Sequence, residues 1–91
     1  MTIKYLIKDT LVATENNPNF AGETRTYWSG KEDTSTCDEL DLKRLAKWYG
    51  YSTKAGAARG LKKHKELADW ESDRGFWKHT SVEIVEIEVN D

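Results

Sequence analysis

Residues from Ile3 to Ala13 alternate, with Ile3, Tyr5 and Ile7 set against Lys4, Leu6 and Lys8, and this period of two predicts a strand. The run from Thr14 to Gly22 is rich in Asn and holds Pro18, so it predicts a loop. Glu23 to Ser29 carries Thr24, Thr26, Tyr27 and Trp28, the β-branched and aromatic types that suit a second strand, paired with the first as an antiparallel hairpin. Gly30 to Ser35 is polar and reads as a connection.

Thr36-Cys37-Asp38-Glu39 fits the capping box, a hydroxyl at the cap with Glu three residues on, and so predicts a helix start. Asp38, Glu39 and Asp41 then fall in its first turn and Lys43, Arg44 and Lys47 later, as the helix dipole favours. Leu42, Leu45, Ala46 and Tyr49 lie on one face, and Gly50 ends the helix. A second helix is predicted from a cap at Ser52 or Thr53 to about Trp70, with Ala57, Ala58, Leu61, His64 and Ala68 inward. Gly56 and Gly60 weaken it by roughly 1 kcal/mol each but share a side that allows close approach. Asp73-Arg74-Gly75 signals a turn before Phe76 and Trp77.

The last segment, Val82 to Val89, has apolar residues at 82 and 84 and then at 85, 87 and 89. A strand changes face in this way only through a bulge or by burial on both sides, which predicts a central strand. Glu86 and Glu88 are expected to meet Lys4 and Lys8 if it lies beside the first strand. The expected fold is therefore α+β in a single domain, residues 1–91. It has a three-stranded antiparallel sheet, made of the N-terminal hairpin plus the C-terminal strand, with two helices packed on one face. Trp28, Leu45, Trp48, Tyr49, Leu61 and Ile84 are the core candidates.

Composition narrows the classes. With 91 residues the chain has room for one modest core, burying about 60–65% of its unfolded surface. Four Trp, four Tyr and two Phe argue against disorder. No apolar run approaches the ~18–20 residues of a membrane span, so no membrane partner is expected. Met1-Thr2-Ile3-Lys4-Tyr5-Leu6 lacks the long apolar region of a secretory signal, and the single cysteine, Cys37, has no partner within the chain. Both features lead to the expectation of a reducing cytoplasm.

Charge changes the picture most. The formal net charge is −2, but residues 43–65 contain no acid and carry +8, leaving −10 on the remainder. The cations are Lys43, Arg44, Lys47, Lys54, Arg59, Lys62, Lys63 and Lys65, and Trp48, Tyr49 and Tyr51 lie among them. Cations displace counterions from phosphates and aromatic rings stack on bases, so these eight are the candidate partner- or nucleic-acid-binding residues. A solvated helical face with neighbouring acids is the competing reading.

Catalytic chemistry finds less footing. Cys37 at a helix start could work with His64 or His79, yet no nucleophile signature surrounds it. One Cys and two His show no paired-ligand spacing, so neither a metal nor a cofactor is expected. The small residues and cations from Ser52 to Gly60 lack the order of a phosphate loop and suit helix packing. Phe20 in the first loop either meets a partner or folds back over the hairpin.

The succession Tyr51-Ser52-Thr53-Lys54-Ala55-Gly56-Ala57-Ala58-Arg59-Gly60-Leu61-Lys62, followed by Val82-Glu83-Ile84-Val85-Glu86-Ile87-Glu88, resembles small accessory proteins of tailed phages and prophages. Those carry an aromatic-Ser-x-Lys-Gly-Ala-Ala stretch, a helix and a similar closing strand. Here Ala55 is inserted before the glycine and a basic helix stands upstream. The resemblance covers about the C-terminal half and implies an accessory role in a bacterial host cytoplasm, with no activity or functional residue attached. Three functions follow as expectations. The first is a non-catalytic binder of a host protein or nucleoprotein complex, anti-CRISPR-like in action. The second is direct nucleic-acid binding through residues 43–65, and the third is a small enzyme using Cys37 and a histidine.

Overall fold

The computed structural model describes residues 2–90, apart from the side chain of Asp33. The long N-terminal strand β1 (Thr2–Ala13) pairs antiparallel with β2 (Thr24–Ser29) and, on its other side, with the C-terminal strand β4 (Trp77–Val89). A two-residue strand β3 (Ser35–Thr36) adds to β2, so the sheet has four strands in the order β3-β2-β1-β4. The class is the expected α+β; the strand count is one higher. Ser35 and Thr36 lie in a stretch with no hydrophobic alternation, and pair through backbone alone after a turn in which the Gly30 N–H donates to Thr34 O. Glu32 makes that turn with a φ of 61°.

The helices are α1 (Leu42–Tyr49) and α2 (Lys54–Arg74). They do not share a face of the sheet. Successive residues of β1 point to opposite sides. Leu6 on the even side is fully buried with Trp28, Val89 and the α1 residues Leu45 and Ala46, flanked by Leu42, Val85 and Ile87. Ile7, Asp9, Leu11 and Ala13 on the odd side are buried toward α2, whose Ala57 and Ala68 are its buried positions. The chain changes sides at Gly50–Tyr51, where Tyr51 exchanges both backbone hydrogen bonds with Tyr5 at 2.9 Å, just beyond the end of β2. The expectation of one covered face failed because hydrophobic period shows that a helix has an inward face, not toward which side of a sheet it turns.

Coverage on both sides explains the apolar switch in β4. Val85, Ile87 and Val89 face α1, while Val82 and Ile84 face α2, so β4 is half-buried from both sides at its centre and yet is an edge strand rather than a central one. The register shift falls instead at Thr10/Leu11, where Thr80 is the extra residue of β4. Lys4 and Lys8 stand opposite Ile87 and Glu83, on the side away from Glu86 and Glu88, so the expected pairs do not form. Glu86 approaches Lys54 at 4.0 Å.

The helix ends lie close to their local sequence signals, with small shifts. Thr36 lies in β3, and the cap is Asp38, whose Oδ1 accepts from Leu40 N–H at the start of a 3-10 turn, Glu39–Asp41, that leads into α1. Thr53 caps α2 by accepting from Gly56 N–H, and α2 runs four residues past Trp70 to Gly75. Gly75 has a φ of 85°, the left-handed conformation that ends a helix. Gly50 is needed for another reason: a Cβ there would lie 2.4 Å from Ala46 O and 2.9 Å from Lys4 Cβ. Trp28 and Leu45 are core residues and Leu61 and Ile84 are half-buried, but Trp48 is 69% exposed and Tyr49 37%. Ala58, expected inward, is exposed. Among the described residues no helix is long and apolar enough to cross a membrane.

Candidate functional site

All eight cations singled out in the sequence are exposed, and the fold divides them. Leu42, Leu45 and Ala46 turn α1 inward, so Lys43, Arg44 and Lys47 project from one side of the sheet. Lys54, Arg59, Lys62, Lys63 and Lys65 project from α2 on the other side. Between them lies the sheet of a slab-like molecule measuring 44 × 25 × 17 Å.

The α1 patch includes an aromatic ring. Trp48 is exposed beside Lys43, Arg44 and Lys47 around a shallow cavity of about 310 Å³, with Lys47 Nζ 5.6 Å from the indole centroid. A ring held this way among cations presents a face for stacking or for burial against a partner. Tyr51 is withdrawn from that role. Its ring packs on Gly60, where a Cβ would lie 2.2 Å from the Tyr51 hydroxyl, so the small residue admits a ring rather than a backbone. The α2 patch gains a cation missed in the sequence, since Lys31 joins Arg59 and Lys63 around a depression of about 470 Å³ that also touches Thr53. Lys31 sits outside the basic run and is brought there by the turn after β2, which no local pattern announces.

A second constellation was not anticipated. Asp9, 4% exposed in the middle of β1, receives two imidazoles. His64 Nε2 lies 2.9 Å from Asp9 Oδ2, and His79 Nδ1 lies 2.7 and 2.8 Å from the two carboxylate oxygens. His79 Nε2 then reaches Glu71 Oε1 at 2.6 Å, and the His79 backbone N–H donates to Ser72 Oγ at 3.1 Å. Three elements are thereby joined: α2 supplies His64, Glu71 and Ser72, β1 supplies Asp9, and β4 supplies His79. The sequence held a faint signal, since Asp9 continues the odd, inward series of Ile7 and Leu11.

A carboxylate is an acceptor only, so an imidazole lying between two of them must carry both ring protons. Burial pulls the His79 pKa down, but the bonds and charges of Asp9 and Glu71 outweigh it and hold it above the ordinary value. Burial likewise pushes Asp9 up, and the bonds and charges of His64 and His79 outweigh it and hold Asp9 below the usual carboxylate value. His79, with both nitrogens engaged, is a cationic tie rather than a free base. His64 borders a cavity of about 430 Å³ with Tyr51, Lys63, Ser29 and Ser35; among the described residues neither serine is hydrogen-bonded to it.

Both histidines therefore meet at Asp9, while Cys37 is exposed between β3 and the 3-10 turn. Among the described residues no three His, Cys, Asp or Glu side chains are arranged to hold a metal ion. Phe20 folds back: its ring stacks on Trp77 at 6.3 Å, with the Arg25 guanidinium over both rings. Comparison with known proteins returned no match to a protein family, a curated protein or a solved structure.

Proposed function

We propose that this chain is a non-catalytic binding module of the phage-accessory kind that docks on a host nucleic-acid-handling complex and modulates it, in an anti-CRISPR-like way. The observation that carries this reading is the division of eight exposed cations between opposite sides of a thin slab. A protein that coats free nucleic acid gathers its cations into one track along the backbone. Two separate cationic faces instead suit insertion into an assembly whose anionic surfaces lie on either side, where charge complementarity sets orientation and encounter rate.

The test is gel filtration with a guide-loaded effector ribonucleoprotein, with the effector protein alone and with the free guide RNA, at about 50 and about 300 mM salt. Co-elution with the ribonucleoprotein is expected, weakened by Arg44→Ala with Trp48→Ala and, separately, by Arg59→Ala with Lys63→Ala. Elution as the free chain beside all three at the lower salt overturns the proposal.

Direct binding of single-stranded nucleic acid is the second reading, favoured by the exposed Trp48 ring beside Lys47. It requires that free RNA alone shifts the chain, that affinity falls steeply with salt, and that only the α1 substitutions abolish binding.

A further inference from the structure

Among the described residues the outer edge of β4 has no neighbouring strand, and the hydrogen-bond pattern tells which part of it is open. Tyr5 gives both its backbone bonds to Tyr51, and Ala13 bonds Glu23 and Gly22, so the odd residues of β1 turn toward β2. The even ones turn toward β4, as Thr14 does in donating to Phe76 O. The β4 partners of those even residues, Ser81, Glu83, Val85, Ile87 and Val89, are therefore satisfied by β1. Val82, Ile84, Glu86 and Glu88 direct both N–H and C=O away from the sheet. Among the described residues, no backbone group outside the sheet bonds to these four.

At its other end the edge is closed. His79 also turns outward, and its N–H is taken by Ser72 from the last turns of α2. The open template thus runs from Val82 to Glu88, long enough for a strand of about five to seven residues at about 3.4 Å per residue.

Charge decides what fits there. Glu83, Glu86 and Glu88 are all exposed, Glu86 and Glu88 on the α2 side and Glu83 on the α1 side. Lys54 approaches Glu86 at 4.0 Å, and Lys8 stands opposite Glu83 in the β1–β4 register. Pairing with a second copy would bring the three glutamates of each copy to one seam, which like-charge repulsion opposes. A cationic strand meets no such cost. We propose that the Val82–Glu88 edge is a docking site for an extended, basic segment of a partner protein, added as a fifth strand. In that strand, lysine or arginine at every second position faces Glu86 and Glu88. The proposal rests on the backbone and the glutamates of the edge rather than on the cationic helical faces, although Lys54 reaches Glu86 from α2.

The probe is a capped peptide, Lys-Val-Lys-Thr-Lys-Val-Lys-Thr, compared with the same peptide N-methylated at the residues whose N–H groups face β4, which keeps the charge and removes the pairing. Amide exchange in the intact chain, followed by NMR, is expected to slow at least tenfold at Ile84 and Glu86 with the first peptide and not with the second. Glu86→Lys with Glu88→Lys, both exposed, is expected to weaken binding at least tenfold. Absence of slowing from Val82 to Glu88 overturns the proposal. So does equal binding of the N-methylated peptide, which would reduce the edge to a charge attraction. Concentration-dependent self-association protecting the same amides overturns it too, by making a second copy the occupant.

Discussion

Beneath α1 the sheet presents Leu6, Trp28 and Val89, and the helix answers with Leu42, Leu45 and Ala46. Beneath α2 it presents Asp9 and His79 beside Ile7 and Leu11, and the helix answers with His64, Glu71 and alanines while Leu67 and Trp70 stay exposed. One helix is held by area and shape alone, the other by small apolar contacts joined to directed polar bonds. The difference teaches that a helix with weak amphipathic periodicity can still be fixed firmly, at the cost of dependence on protonation. It also leaves Leu67 and Trp70 of α2 at the surface.

Substitutions that attack one side at a time test this contrast. Leu6→Ala removes a side chain with no exposure at the centre of the α1 side, and should cost about 4 kcal/mol in denaturant titrations. An equal loss from Leu67→Ala, 58% exposed on α2, would contradict the contrast.

His79→Ala strips Asp9 of one of its two imidazoles and should cost about 3 kcal/mol, since a buried charge loses part of its compensation. The same cluster sets a pH profile. His79 is raised above 6.5, so its contribution is complete below about that pH and disappears as pH rises through the higher folded value. Asp9 is lowered below 3.8, so its contribution is present above about that pH and disappears as pH falls through the lower folded value. Thermal stability should therefore peak between about pH 4 and 6.5 and decline on the alkaline side. His79→Gln should abolish the alkaline decline; a scan still sloping the same way would remove His79 as its source.

Gly60→Ala sharpens the view of how α2 meets the crossing segment. Alanine is the better helix former by about 1 kcal/mol, yet its Cβ would collide with the rigid Tyr51 ring, so a net loss of about 1 kcal/mol is expected. A gain in melting temperature would show that Tyr51 moves aside freely. The smallest effect is reserved for Trp28→Phe, below about 1 kcal/mol. The buried indole Nε1 has no hydrogen-bond partner among the described residues, so deleting it relieves a desolvation cost that offsets the lost area.

The contrast between the faces also explains which features were legible in the chain. α1 could be read because its energetics are hydrophobic and periodic, through Leu42, Leu45 and Ala46. The eight cations were legible as a run, and their exposure followed from it, but their separation depended on Tyr51 bridging Tyr5, a pairing between residues 46 positions apart. Asp9, marked only by its place in the inward series, and His79 were hard to read for a similar reason. Their pairing arises only when the β1–β4 register brings the strands together. Trp48 was misplaced because an aromatic residue next to a helix's inward face is apolar enough to suggest core, whereas here it lies beyond the buried arc. The two-residue β3 has no periodicity to detect.

The long pairing of β1 with β4 has a kinetic meaning. Thr2 lies opposite Val89, so the ladder that supplies the floor for both helices closes across nearly the whole chain. Closing so wide a loop costs entropy before any contact repays it, and neither helix has a full surface to pack against until it is done. Refolding should therefore proceed in milliseconds to seconds rather than at the microsecond pace of helical bundles of this size, with the two helices consolidating together as the terminal strands meet.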